Sequence, residues 1–290
     1  MDNRIAIITD SACDLPEEYV RENDVYVLPL RLIYSDGEYR CGRDISGAEV
    51  LERLPREVPS TSQPSPHDVE DIFASLRERG ISRAVFVLIS SGLSGTYNMA
   101  RLACEAHPDI EVELFDSRYL SMCLGYFVMR AVELRSEGLE FGRYVEALEA
   151  YRPYVKGYFY VPTLDYLIRG GRIGLVAGTV GKLLNIKPII SCNAEGRYYT
   201  MSKTPGARRA LTRLCELARD IAGGAECDVS VLHGCAPEDA RRVMEGIKSM
   251  CAVQHERLYE LGASLLVHTG PGMLAVCMRM LKGNTAVADI

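Results

Sequence analysis

The sequence predicts an α/β protein of two domains. Residues 1–156 are expected to form a three-layer α/β/α domain with a mainly parallel sheet, and residues 157–290 a two-layer α/β domain with a mixed sheet. Three observations carry this reading. Continuous apolar runs such as "RAVFVLIS" (83–90) have the pattern of strands covered on both faces. In the first half these runs alternate with helical stretches, which implies crossover connections and parallel pairing. From "YVKGYFYVP" onward the rhythm changes to a hairpin followed by strands and helices in turn, which suits a mixed sheet with helices on one face. At 290 residues the chain is also long for one core.

The elements follow in order. "RIAIIT" (4–9) is a buried strand, and Asp14 with Glu17 three residues on has the spacing of a capping box for "LPEEYVREN". "VYVLPLRLIYS" (25–35) is extended, with Pro29 marking an edge or a bulge. "SPHDVEDIFASLRERG" is a helix with Ser65 as N-cap, Pro66 at its first position and Gly80 closing it. The strand 83–90 leads into the helix "SGTYNMARLACEAH", the strand "VELFDS" (112–117) and two helices reaching about Arg152. "TLDYLIRGGRIG" and "LVAGTVGKLLN" suggest short helices, and "IKPIISCNAEGRYYTMSKTPG" a hairpin turning at "NAEG". A helix (205–222), "CDVSVLHG", a helix (237–250), "VQHERLYEL" and "GMLAVCMR" complete the chain.

The totals narrow the function. A net charge of −6 gives no basic footprint for nucleic acid, and no apolar run reaches the roughly 20 residues that span a bilayer. The opening "MDNRIAIITDSACDLP" has neither the basic region nor the apolar core of a signal peptide, so a cytoplasmic protein is expected. The ten cysteines contain no C-x-x-C, and several lie in apolar segments, as buried free thiols in a reducing compartment do. Neither a metal nor a cofactor is expected, and His67, His107, His233 and His255 fit no ligand spacing.

Ligands of parallel sheets bind beyond the carboxyl ends of the strands, which draws attention to "TDSACDLP" and "SSGLSGTYN". In the second, Gly92 and Gly95 permit close backbone approach while Ser94 and Thr96 offer hydroxyls at a helix start suited to an anion. The bland reading is that Ser94 caps its helix. "VPSTSQPSPHDVED" (58–71) sets Thr61 and Ser62 among three prolines that restrict the loop. His268 stands where an apolar run meets "GPG", and Arg169 and Arg172 flank a glycine pair.

Taken together, "TDSACDLP", "TSQPSP", "SSGLSGTYN", "YLIRGGRI", "LNIKPII" and "HTGPG", in this order and at these intervals, resemble the DegV family. These are the fatty-acid-binding subunits of the bacterial fatty-acid kinase system, and the likeness covers essentially the whole chain. It implies a DegV-like fold related to the dihydroxyacetone-kinase substrate domain, with a long-chain fatty acid held between the domains. A separate ATP-dependent kinase subunit would phosphorylate the presented acid, so the chain alone would not be an enzyme, and membrane contact would be at most transient. By the same resemblance Thr61, Ser62, Ser94 and Thr96 hold the carboxylate, and His268 sits beside it. Gly92, Gly95 and Gly270 shape the backbone near the head group, and Arg172 serves the kinase partner. Cys13 departs from the family, which often has a small or hydroxyl residue there, and leaves the role of the first loop open. Hydroxyl donors would satisfy a buried carboxylate without a full countercharge, while burial of methylenes supplies the affinity.

The rival reading is a serine hydrolase. Ser94, an intervening acid such as Asp165, and His268 follow the α/β-hydrolase order, although Thr96 replaces the last glycine of G-x-S-x-G. A stand-alone kinase would need a phosphate loop, and no Walker-type G-x-x-x-x-G-K-[ST] occurs.

Overall fold

The apolar runs of the first half assemble into sheet and helix layers in the computed structural model, which describes residues 4–179 and 186–281. This half runs β1 (Ala6–Asp10), α1 (Glu17–Glu22), β2 (Val25–Leu28), β3 (Arg31–Tyr34), β4 (Gly37–Arg40), α2 (Gly47–Arg53) and β5 (Ser60–Ser62). It continues through α3 (Pro66–Glu78), β6 (Arg83–Leu88), α4 (Thr96–Glu105), β7 (Glu111–Asp116), α5 (Ser121–Ser136) and α6 (Tyr144–Tyr151). A parallel sheet is ordered β2-β1-β6-β7, and a small antiparallel sheet is ordered β4-β3-β5.

Because successive strand residues face opposite ways, the parallel sheet buries two surfaces. Ile8, Phe86 and Leu88 pack with Val69, Phe73 and Met99 of α3 and α4. Ile7, Val85 and Val87 point the other way, into a cluster built around α5. The result is the three-layer arrangement that the continuous apolar runs required.

The second half runs β8 (Val155–Tyr160), α7 (Asp165–Arg169), a 3-10 turn (Gly174–Thr179), β9 (Ile186–Cys192), β10 (Tyr198–Pro205) and α8 (Gly206–Ala222). It ends with β11 (Glu226–His233), α9 (Pro237–Lys248), β12 (Ala252–Glu260), α10 (Ala263–Thr269) and β13 (Leu274–Met280). Its sheet is ordered β10-β9-β8-β13-β11-β12, with β11 and β12 parallel and the other neighbours antiparallel. Tyr158, Val229, Val276 and Met278 meet α8 and α9 on one face. Phe159, Ile190, Ala275 and Cys277 meet the α5 cluster on the other. Helix α5 thus lies between the two large sheets. Its apolar residues run all round it, from Met122 to Leu134, and nearly all are buried.

Several local expectations hold. Ser65 caps α3 in a capping box with Asp68, and Pro66 occupies the first turn. Gly80, at φ 68°, closes the helix with Gly80 N–H donating to Arg77 and Ile81 N–H to Leu76. The 193–196 turn joins β9 to β10, with Gly196 at φ 70°. All ten cysteines are free, and all but Cys235 and Cys251 are buried.

Others are corrected. Asp14 does not cap α1, whose N-cap is Pro16. Asp14 is left-handed at φ 51°, and its carboxylate is taken up by distant donors described below. Residues 25–35 are not one strand: after Pro29 the chain leaves the parallel sheet and enters the small one. The Ser/Pro-rich stretch is likewise not only a stiffened loop, since Ser60–Ser62 pairs with β3, setting Thr61 opposite Leu32. Residues 180–185 of the expected "LVAGTVGKLLN" helix, with Leu184 and Asn185 of the "LNIKPII" motif, lie outside the described residues, as do residues 1–3 and 282–290.

Gly157 lies in β8 opposite Cys277, and a methyl group there would collide with Cys123 Sγ of α5. Gly157→Ala is therefore expected to lower unfolding stability by about 1–3 kcal/mol through overpacking between α5 and the second sheet. Urea unfolding checks this, with a reduced midpoint at an unchanged slope as the expected result.

Candidate ligand-binding site

The site is assembled from loops at the carboxyl ends of the parallel strands, closed by residues from the second half. Asp10, at the end of β1, accepts from Ala12 N–H at 3.0 Å and Ile89 N–H at 2.7 Å, tying the first loop to the end of β6. Burial lifts its carboxyl to about 7 against these two bonds. Asp14 accepts from Ser121 Oγ at 2.6 Å and from Gly262 N–H at 3.1 Å. It therefore joins the first loop to the start of α5 and to the residue preceding α10, and burial again lifts its carboxyl to about 7.

Helix α10 carries His268. Its Nε2 shares a 2.8 Å hydrogen bond with Thr61 Oγ1, between residues 207 apart in sequence. Its Nδ1 is buried without a hydrogen-bond partner among the described residues and lies against Gly170, where any Cβ would collide with it. Burial, and then the charge of Arg172, lowers the imidazole to about 4, so the ring is neutral at ordinary pH. Arg172 donates from Nη1 to the Gly170 carbonyl at 2.6 Å and from Nε to the Leu93 carbonyl at 3.3 Å.

These groups converge. A cavity of about 310 Å³ is lined by Thr61, Ser62, Ser94, Arg172 and His268, together with Gln63 and Ser264. It shares Leu120, Tyr198 and Leu265 with a narrow apolar cavity of about 40 Å³ among Cys123, Phe159, Cys192, Met273 and Cys277. On its other side Thr61, Arg172 and His268 also border an open polar cleft of about 600 Å³ that includes Arg56 and Arg169. A half-polar pocket thus borders a small apolar cavity through one set of residues and a cationic cleft through another.

Not every expected residue has its expected place. Thr96 is fully buried behind Ser94, with their hydroxyls 2.8 Å apart, and does not line the cavity. Gly92 makes room for the β9–β10 turn, since a Cβ there would lie 2.7 Å from the Glu195 carbonyl and 2.8 Å from that of Gly196. Gly95 lines the cavity, but its missing side chain accommodates Gln63; Gly270, at φ 72°, accommodates the Tyr166 ring. Arg172, expected to serve the kinase partner, borders both this cavity and the cleft, so the pocket is not lined by uncharged donors alone.

Sequence reading missed Gln63, Ser264 and Gly170. A hydroxyl within the apolar run "ASLLV" and one glycine of a pair carry no local signal of a site. The hydrolase relay is not assembled: Ser94 Oγ meets Thr96 Oγ1, while His268 meets Thr61 and has no acid at Nδ1. Among the described residues no group of three or more His, Cys, Asp or Glu could hold a metal ion, and no helix is long and apolar enough to cross a membrane.

A family model described as an uncharacterised protein of the DegV family matches residues 4–280. A DegV domain-containing protein of Clostridium acetobutylicum is 42% identical over 273 residues, covering 94% of this chain and 98% of the relative. A solved structure titled as fatty acid binding of a DegV family protein from Thermus thermophilus matches with a TM-score of 0.89 at 32% identity, over 96% of this chain and 100% of that one. A stearic acid-binding protein from Eubacterium ventriosum matches with a TM-score of 0.86 at 28% identity, over 96% of this chain and 98% of that one.

The unfolded chain protonates His268 near 6.5 and the folded one only near 4. The stability this contributes is complete above pH 6.5 and is lost as pH falls toward 4. An NMR titration should find His268 neutral down to about pH 5. A ring titrating near its ordinary value would contradict the buried, Arg172-facing placement.

Proposed function

Because the chain belongs to the DegV family, we propose that it binds a long-chain fatty acid between its two halves and presents the carboxyl group to a separate ATP-dependent kinase subunit for conversion to an acyl phosphate. The observation that carries this reading is the adjacency of the two cavities. A pocket with convergent polar groups shares Leu120, Tyr198 and Leu265 with an apolar space between the sheets, so these are the side chains an acyl chain would pass. The fatty-acid-binding proteins among the similar solved structures support it.

The energetics suit the ligand. Each buried methylene contributes about 0.8 kcal/mol, so a chain of about 16 carbons gains up to ~11 kcal/mol. The apolar cavity, at about 40 Å³, is smaller than such a chain, so uptake requires lining side chains such as Met273 and Leu265 to move apart. Methionine, unbranched and flexible, suits that movement. The head group must keep its hydrogen bonds on leaving water. Thr61, Ser62 and Ser94 supply hydroxyls in this reading, and neutral His268 holds Thr61 in place.

Arg172 modifies the expectation of an uncharged site. One guanidinium would balance one carboxylate, but Nη1 and Nε are engaged with the Gly170 and Leu93 carbonyls. The charge is therefore near the head group without both faces of its fork being free to clamp it.

Presentation rests on the cationic cleft across the Thr61–His268 wall. Arg56 and Arg169 are exposed there and have no carboxylate partner among the described residues. Guanidinium groups match phosphate oxygens, so this is the side from which an ATP-bound partner would approach. The chain itself is then a carrier without catalytic activity of its own. Its free cysteines suit the cytoplasm.

Native mass spectrometry of protein purified from cells should find a long-chain fatty acid that is released on denaturation. Its absence would sink the lipid reading. Replacing Arg56 and Arg169 together by Glu should leave the lipid bound and lower kinase-dependent acyl-phosphate formation about tenfold or more, as expected where phosphate meets reversed charge. An unchanged rate would remove the cleft from the presentation step.

A further inference from the structure

Ser264 is a buried hydroxyl in the wall of the head-group cavity with nothing to bond. It is 2% exposed, and its Oγ has no hydrogen-bond partner among the described residues. It borders the same cavity as Thr61, Ser94, Arg172 and His268.

Its place in α10 explains why the helix cannot satisfy it. Thr269, near the other end, donates from Oγ1 to the Leu265 carbonyl one turn back, at 3.1 Å. Ser264 is the second residue of the helix, and the residue four before it, Glu260, belongs to β12. No helical carbonyl lies one turn behind it. Neighbouring hydroxyls are also engaged: Thr61 with His268, and Ser94 with Thr96.

The same geometry gives this hydroxyl a direction. Ser264 precedes His268 by four residues, so the two lie on one face of the helix. The next residue, Leu265, borders both the polar cavity and the apolar one, whereas Ser264 borders only the polar one. Ser264 therefore stands on the head-group side of the boundary between them. Helix α10 is held there through Asp14, which accepts from Gly262 N–H.

We propose that Ser264 is a further head-group donor, its Oγ–H bonding a carboxylate oxygen of the bound acid. This rests on the fatty-acid reading above. In a folded protein an unpaired buried hydroxyl is a cost, and a ligand acceptor turns that cost into affinity. Ser264 thus has opposite effects on the two states: it weakens the lipid-free protein and strengthens the complex.

The test uses the full chain stripped of lipid, with palmitate as the probe. Ser264→Ala is expected to bind palmitate about tenfold more weakly, the scale of a lost hydrogen bond to a charged group. Its lipid-free melting temperature should stay the same or rise. Ser264→Cys, close in size but a weak donor, is measured alongside and should show the same loss, which keeps the test decisive if the alanine chain does not fold. Unchanged palmitate affinity in the variants overturns the proposal. So does a fall in lipid-free melting temperature that accompanies the loss, because it marks a structural role. If the wild-type chain takes up no palmitate, the lipid reading itself fails and the proposal falls with it; normal uptake by both wild type and variants rejects Ser264 alone.

Discussion

The first two turns of helix α5, Met122–Met129, carry no charged residue and are buried all round, and such a stretch must be covered on every side. Here the cover is supplied by the parallel sheet on one flank and the mixed sheet on the other. That requirement brings the ends of two separately built sheets together. The space beside the first turn of α5, bordered by Leu120, Ser121 and Cys123, is where the apolar cavity runs. The small apolar cavity at this junction is a consequence of how the core is closed, and the polar groups of the larger cavity stand beside it.

Placing them requires contacts over long sequence distances. Asp14 joins the first loop to Ser121 and Gly262, and Thr61 meets His268 across the two halves. Ser90 Oγ donates to the Gly196 carbonyl at 2.7 Å, which fixes the β9–β10 turn on the loop that carries Ser94. These contacts end in loops, in short elements or, for Ser121, on the first residue of α5. The site is thus held by cross-bracing between loops on the firm edges of two sheets, which is how precise positions are obtained from irregular backbone.

Much of this was legible in the sequence, and the reasons for the remainder are physical. Apolar runs and cap residues marked the strands and α3 because their signals are local: "RAVFVLIS" needs no knowledge of its neighbours, and Ser65 with Asp68 satisfies its own helix end. Thr61, Ser62, Ser94 and His268 were found by motif and do border one cavity. The errors share one origin. Asp14 seemed to serve Glu17 three residues away, whereas its partners lie 107 and 248 residues away. Gly92 seemed to face a ligand, but the atoms it admits belong to a turn about one hundred residues later. Three-residue β5 and seven-residue α10 are too short for periodicity to show, so the elements presenting Thr61 and His268 stayed hidden.

The outer rim of the mixed sheet has a consequence of its own. Strand β12 is last in the order, and its sequence, Ala-Val-Gln-His-Glu-Arg-Leu-Tyr-Glu, sets charged and polar side chains along that border. Several are anchored: Glu256 with Lys248 at 2.6 Å, His255 with Asp228 at 2.8 Å, and Gln254 with Glu226 at 2.9 Å. A second chain trying to zip onto this margin would have to strip water from these groups, so the protein guards this edge against fibre-like association.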